Sequence, residues 1–313
     1  MSRISDLSAS PMLREYAQGA AQEAINPVAE FLAPTVPVAT QVGRYKVYDE
    51  KNRFHIPKTL RGVGGRAVEL SFAVTDATYN CAPHALDFPV DNLEQLEAEG
   101  LENTLQEGAT LIAEVAGLAH EKAVIDAATA AITGGNIVTS TWVTNTTDDP
   151  VALIDNAILS VIKAAKYGSL MGVGVLFGAS AFKSFKNCTA VRSRFVVSGS
   201  PAFPNVTPDV ARTLFIGEPD TRVSYMVHDS APEGVAASMS FVLDKSVIVF
   251  SRKPQPTRRD PSFMKTFRLT GHFMVPGSYL REDKRVECAT FDWSEDIRVS
   301  NRPAAIMLSP SDI

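Results

Sequence analysis

Apolar positions along this chain change period several times, and each change marks an element. From Ser10 and Pro11, which can cap and start a helix, Leu13, Tyr16, Ala17, Ala20, Ala21, Ala24 and Ile25 recur at helical spacing until Asn26 and Pro27 stop it. The stretch FLAPTVPVAT then carries prolines that favour an extended path outside any sheet, so residues 1–42 read as an arm that wraps another subunit. Strand periodicity follows. Tyr45, Val47, Phe54 and Ile56 alternate with polar residues, as do Val68, Leu70 and Phe72, while Gly62, Gly64 and Gly65 permit a tight tip between the limbs. Residues 43–73 thus predict a long hairpin, and a two-stranded ribbon needs a partner surface to be stable in water.

From Asp91 the period returns to that of a helix. Asp91 with Glu94 forms a capping box, and Leu93, Leu96, Leu101, Leu105, Ile112, Val115, Leu118 and Ile125 define a drifting apolar face up to Gly134. The spacing predicts one helix over 91–133, about 60 Å long at 1.5 Å per residue. Asp149 and Pro150 then open a helix with Val151, Ile154, Ile158, Val161, Ile162 and Ala165 on one face. A buried strand VGVLFG, a short helix SAFKSFKN, a helical turn from Pro208 and a strand RVSYMVHD complete an α/β unit over 151–238. The remainder alternates as strands: MSFVLD, SVIVFSR, FMKTFRLTGHFMV, RVECATFDWSEDIRV and AAIMLS. These strands need a helix over one face, and the long helix is the one large enough.

Charge joins two of these elements. The hairpin carries Arg44, Lys46, Lys51, Arg53, Lys58, Arg61 and Arg66, whereas the long helix carries Glu94, Glu97, Glu99, Glu102, Glu107 and Glu114 among its carboxylates and only Lys122 as a base before Asp126. A charge run of this kind also suits a plain solvated face. The alternative is that the basic hairpin of one subunit lies over the acidic helix of a neighbour, with apolar burial holding the contact and charge setting its register.

The chain as a whole excludes several classes. A formal net charge of -5 over 313 residues gives no general affinity for nucleic acid, and 45% hydrophobic content supports a substantial core. Cys81, Cys188 and Cys288 are odd in number and widely spaced, which suits buried thiols rather than a disulfide framework or zinc site. No apolar run reaches the ~20 residues of a membrane span, and MSRISDLSAS lacks the apolar core of a signal peptide, so residence in a cytoplasm is expected. The sequons at Asn145, Asn187 and Asn205 then have no secretory context.

Chemistry-bearing motifs are incomplete. His55, His84, His120, His228 and His272 are dispersed, and HEKAV lacks the second histidine of a zinc-protease helix. GASAF around Ser180 has Phe182 where a nucleophile elbow needs glycine, so Ser180 reads as a helix cap. Gly168, Gly172, Gly174 and Gly178 do not follow a phosphate-loop order. The helix carboxylates follow a solvent face without a cleft group to tune them, and Phe241, Phe250, Phe263, Phe267, Phe273 and Trp293 read as core. Neither catalytic residues nor a cofactor nor a metal is expected, and the chain does not read as an enzyme.

The order of parts, with the phrases APTVPVATQVGRYKVYDE, RFHIPKTLRGVGGRAVELSFAVTDATYNCAPHALDFPVDN and SFVLDKSVIVFSR, resembles the major capsid proteins of tailed double-stranded DNA bacteriophages, which have the Hong Kong 97 fold. The resemblance implies an α+β chain: an arm (1–42), an extended loop (43–73), a peripheral domain (74–150 and 239–313) with spine helix 91–133, and an axial domain (151–238). It also implies self-assembly into hexamers and pentamers of an icosahedral virion capsid, formed in the host bacterial cytoplasm around double-stranded DNA. Portal and decoration proteins are further expected partners. With the hairpin beginning near Gly43 no scaffolding segment is expected ahead of it, so a separate scaffolding protein is. An encapsulin-like shell with protein cargo shares the fold, and a ligand-binding α/β enzyme is the reading from another class. Lys58 could be tried for the lysine of a covalent crosslink, but no asparagine partner is evident. Gly100, Gly108 and Gly117 serve either bending of the spine or close packing.

Overall fold

A computed structural model of the chain describes residues 27–48, 59–66, 69, 74–91, 101–142, 148–165, 172–194, 206–232, 234–271, 275–281 and 286–313. Two five-stranded sheets and one long helix between them make up its frame. In the first sheet the central strand is β13 (Val286–Val299). It pairs along one edge with β4 (Ala82–Asp91), and along the other with β11 (Met264–Leu269) and then β12 (Val275–Leu280), while β1 (Thr35–Val38) lies outside β11. The second sheet runs in the order β5 (Ile137–Ser140), β14 (Ala305–Pro310), β10 (Val247–Arg252), β6 (Gly172–Phe177), β7 (Asp220–Val223).

Continuous apolar runs explain the second sheet. In β6, Val175 and Phe177 enter one core while Leu176 enters another, and in β10 Val247 and Val249 part from Ile248 and Phe250 in the same way. Both faces are therefore dry, as a strand reading VIVF without alternation requires. One face is covered by the helix Pro150–Ala164 and the helix Ala179–Asn187. The other is covered by the helix Pro27–Leu32 and the end of the long helix.

Several expectations need correction. The helix expected ahead of Pro27 lies outside the described residues; Pro27 itself starts a helix, and Phe31, Leu32, Val36 and Val38 are buried in the chain's own core. β1 is a sheet strand, parallel to β11 with Thr35 opposite Thr266; it tolerates Pro37 because an edge strand leaves one row of its N–H groups without a sheet partner. Asp91 is the last residue of β4, opposite Val286, and the helix start expected just after it lies outside the described residues. The described part of the spine helix runs Leu101–Ala131, 31 residues, about 46 Å. β5, β10 and β14 do not join β13 but complete the second sheet, because β10 is antiparallel to β6 over its whole length. The segment RVSYMVHD divides into β7 and β8 (Val227–Asp229), which pairs with β9 (Met239–Phe241). Phe241 is exposed there, not core. Gly178 caps the helix assigned to Ser180, its own backbone lying against the Asp244 carbonyl where a Cβ would come within 2.2 Å.

Other expectations hold. Asp149 caps the helix Pro150–Ala164 by accepting from the Val151 N–H at 3.1 Å, and Val151, Ile154, Ile158 and Val161 are buried. Thr207 caps the turn from Pro208, and all three cysteines are free and buried.

Candidate subunit interface

The long helix has two faces because its buried positions recur every four residues: Ala109, Ala113, Gly117, Glu121, Ile125 and, one series over, Gly108, Ile112, Ala116, Val124, Ala128. Four residues turn the helix by about 400°, so the buried stripe winds around it by about 40° per step. Its first half therefore packs Ala109, Ile112, Ala113 and Ala116 on Val90, Ala289, Phe291 and Trp293 of the first sheet. Its second half turns Val124, Ile125, Ala128 and Ile132 toward the helix Pro27–Leu32 and the second sheet. Gly108 is a close-packing position, since a Cβ there would lie 2.4 Å from Phe88 Cδ1.

What faces away from the first half is a mixed strip. Glu107 and Glu114 are exposed beside Leu111 (50% exposed) and Val115 (46%). Glu102 lies on the same helix, and Glu94, Glu97 and Glu99 fall outside the described residues.

The hairpin is rooted in its own chain and free at its end. β2 (Val42–Tyr48) pairs antiparallel with β3 (Val74–Asn80), with Lys46 opposite Asp76, so the pairing continues seven residues beyond Ala73. Tyr79 stacks on Phe267 of β11 at 4.7 Å between ring centres, Tyr45 packs on the same ring at 5.2 Å, and the Asn80 N–H donates to Asp296 at 2.7 Å. At the tip the Gly65 N–H donates to the Gly62 carbonyl, Gly64 takes φ +81°, and the Arg61 guanidinium closes the turn onto the Gly65 carbonyl at 3.0 Å. Leu60 (95% exposed) and Val63 project from this tip beside exposed Arg61 and Arg66. Arg44 is exposed in β2, and Lys51, Arg53 and Lys58 lie outside the described residues. Among the described residues no ion pair joins the hairpin's bases to the helix carboxylates within the chain.

Sequence reasoning missed a buried polar belt at the point where the helix stripe changes core. His120 Nδ1 lies 2.8 Å from Glu295 Oε1, and Arg268 holds Glu295 Oε2 at 3.1 Å. Burial opposes ionisation of Glu295, but His120 and Arg268 outweigh it and hold the carboxyl down at about 2. Glu121, expected on the solvent face, is fully buried and accepts from the Ser224 hydroxyl at 3.2 Å. Burial pushes its carboxyl up to about 7 against the pull of that hydrogen bond. The signal was present: Glu121 occupies the four-residue series of Ala113, Gly117 and Ile125.

Comparison with solved structures gives this frame a precedent. A phage-related protein from Bordetella bronchiseptica RB50 superposes with a TM-score of 0.68 at 18% identity, covering 96% of either chain. The mature capsid of bacteriophage PhiM1 matches at 0.56 and 10% identity over 92% of this chain and 88% of that one. This is the Hong Kong 97 capsid fold. The same fold carries the likeness to the virus-like particle of Pyrococcus furiosus, at 0.54 and 15% identity over 95% of this chain and 98% of that one. In sequence, 63 residues are 38% identical to the major capsid protein of Pseudomonas phage JBD67; the match spans about a fifth (20%) of this chain and of that relative. No family model matches the chain.

Proposed function

We propose that this chain is the major capsid protein of a tailed phage, a structural subunit that self-assembles into the hexamers and pentamers of an icosahedral head around double-stranded DNA. The observation that carries the reading is the hairpin: rooted on Phe267 by Tyr45 and Tyr79, it presents Leu60, Arg61, Val63 and Arg66 outside the chain's own core. Its complement is the helix strip of Glu107, Leu111, Glu114 and Val115, where apolar and acidic positions are interleaved. Two leucine-sized contacts excluded from water contribute about 1.5–3 kcal/mol each, against about 0–1 for each exposed ion pair. Apolar burial thus holds the contact between neighbouring copies, and the charges choose its register.

Partners follow from that role: further copies of the chain, a portal, a separate scaffolding protein, a decoration protein where one attaches, and packaged DNA held without base-specific contacts. An inner surface without excess positive charge confines DNA without gripping it. The chain would then act in the virion capsid after assembly in the bacterial cytoplasm.

Reversing Arg61 and Arg66 to Glu is the direct test. Particles seen by negative-stain microscopy for the wild type should be lost or reduced in the double variant, while its circular dichroism stays that of the parent. Wild-type assembly by the variant removes the interface from the account. A second reading, an encapsulin-like compartment with protein cargo, is supported by the likeness to the holo-SrpI encapsulin complex from Synechococcus elongatus PCC 7942, at a TM-score of 0.54 and 11% identity over 92% of this chain and 88% of that one. Nuclease-protected DNA in isolated particles favours the phage head, and protein cargo without DNA favours the compartment.

A further inference from the structure

Glu121 is a carboxyl with an unusual setting. It sits at the change-over of the long helix, after Ala116 of the first core and before Val124 of the second, and both Glu121 and Ser224 are 0% exposed. One oxygen accepts from Ser224; the other, Oε2, is buried and has no hydrogen-bond partner among the described residues. Ser224 is itself fixed, its N–H donating to the carbonyl of Phe177 at 2.9 Å, at the exit of β7. Two residues on, the Met226 carbonyl accepts from Val242 N–H and thereby joins this connection to the β8–β9 ribbon. The contact therefore ties the middle of the helix to the stalk of the ribbon.

Charged groups on the surrounding elements are already engaged. On the helix itself His120 binds Glu295 and Lys122 binds Asp126 at 2.7 Å. From the helix Pro27–Leu32, Glu30 accepts from the N–H and hydroxyl of Thr35. From β13, Glu295 is held by His120 and Arg268. From β7, the Arg222 guanidinium lies 4.8 Å from the centre of the Phe31 ring, and Asp220 binds Arg252 of β10, whose guanidinium lies 4.5 Å from the centre of the same ring. A charge on Glu121 thus meets burial and one neutral hydroxyl, with no cation among the described residues to offset it.

We propose that Glu121 and Ser224 form a proton-gated latch, closed when the carboxyl is protonated and opened when it ionises, which sets how firmly the long helix holds the connection from β7 to the ribbon. Protonated, the carboxyl is neutral and can share its proton within the contact. Ionised, it is relieved only by water, and water reaches it when residues 224–226 move off the helix. The position of the carboxyl near 7 places this opening around neutral pH. The latch belongs to the single chain and is independent of any assembly.

Linkage gives the sign. The folded-state value lies above the ordinary glutamate value of 4.5, so between about 4.5 and about 7 the unfolded chain binds fewer protons than the folded one. The latch's stabilisation is complete below that window and is lost as pH rises through it.

The test uses the purified full-length chain and its Glu121→Gln and Ser224→Ala variants. The wild-type melting midpoint should fall across the window and then level, and Glu121→Gln should lack that fall. Ser224→Ala, which removes the donor that favours the ionised form, should move the upper end of the fall to higher pH. Amide exchange by mass spectrometry, corrected for intrinsic rate, should show residues 224–227 losing protection above about 7 in the wild type, with the long helix unchanged. A Glu121→Gln profile that keeps the wild-type fall overturns the latch. Should that variant fail to fold, a Ser224→Ala profile identical to the wild type overturns it equally.

Discussion

His120 on the long helix and Arg268 on β11 share one carboxylate, that of Glu295 on β13, at 2.8 and 3.1 Å. Three elements are joined through a group that is 7% exposed. Its depressed value, about 2 against 4.5, means that the folded chain keeps the proton off where the unfolded chain would bind it. The stabilisation is present above about 4.5 and is lost as pH falls toward about 2. Glu295→Gln should lower stability at neutral pH by on the order of 3 kcal/mol and flatten this acid limb, read by urea titrations at a series of pH values.

Gly108 sets how closely the long helix approaches β4. In Gly108→Ala the new methyl gains about 1 kcal/mol of helix propensity but meets the Phe88 ring at 2.4 Å, an overpacking that costs about 1–3 kcal/mol. Net loss of about 1 kcal/mol is expected in chemical denaturation. Adding Phe88→Leu should recover part of it, and a stabilised Gly108→Ala protein would show that the helix had room to move.

Lys265 is an ammonium with 0% exposure in β11, donating to the carbonyls of Thr257 (2.7 Å) and Asp260 (2.5 Å) and paired with the Asp260 carboxylate at 3.2 Å. Asp260 in turn accepts from the Ser262 N–H, so one cation organises the loop 257–262. Lys265→Met leaves that carboxylate buried and unpaired. A loss of about 3–5 kcal/mol is expected in denaturant titration, larger than for Asp260→Asn with Lys265→Met together.

Asp149 caps the helix Pro150–Ala164 and also pairs with Arg194. Asp149→Ala should cost about 1 kcal/mol, and Asp149→Asn less, because the amide oxygen still accepts from Val151 N–H. Thermal melts of both variants check the order.

That cap was legible in the sequence because its chemistry is local: Asp, Pro and a 3.6-residue apolar period lie within one stretch. The long helix and most terminal strands were legible for the same reason. β1 was not. Its prolines argue for a free extended segment, and what makes it a strand is the edge of β11, supplied from the far end of the chain. The allocation of β10 and β14 to the second sheet was equally hidden, since VIVF and AIMLS announce buried strands without naming a neighbour. In the proposed interface, the exposed bases and acids were readable, while Leu60, Val63, Leu111 and Val115 emerged only when their burial partners proved absent among the described residues. Glu121 was misplaced because counting carboxylates treats all of them as surface, and only the four-residue series distinguishes it.

The outermost strand of the first sheet has a consequence for synthesis. Ala33, just before β1, accepts a hydrogen bond from the hydroxyl of Thr266, 233 residues later, and β14, at the very end of the described chain, closes against β5 and β10. A nascent chain leaving the ribosome therefore cannot finish either sheet until its last segments have emerged, and closure over such separations is slow. Until then the early strands wait without the neighbours that complete their sheets.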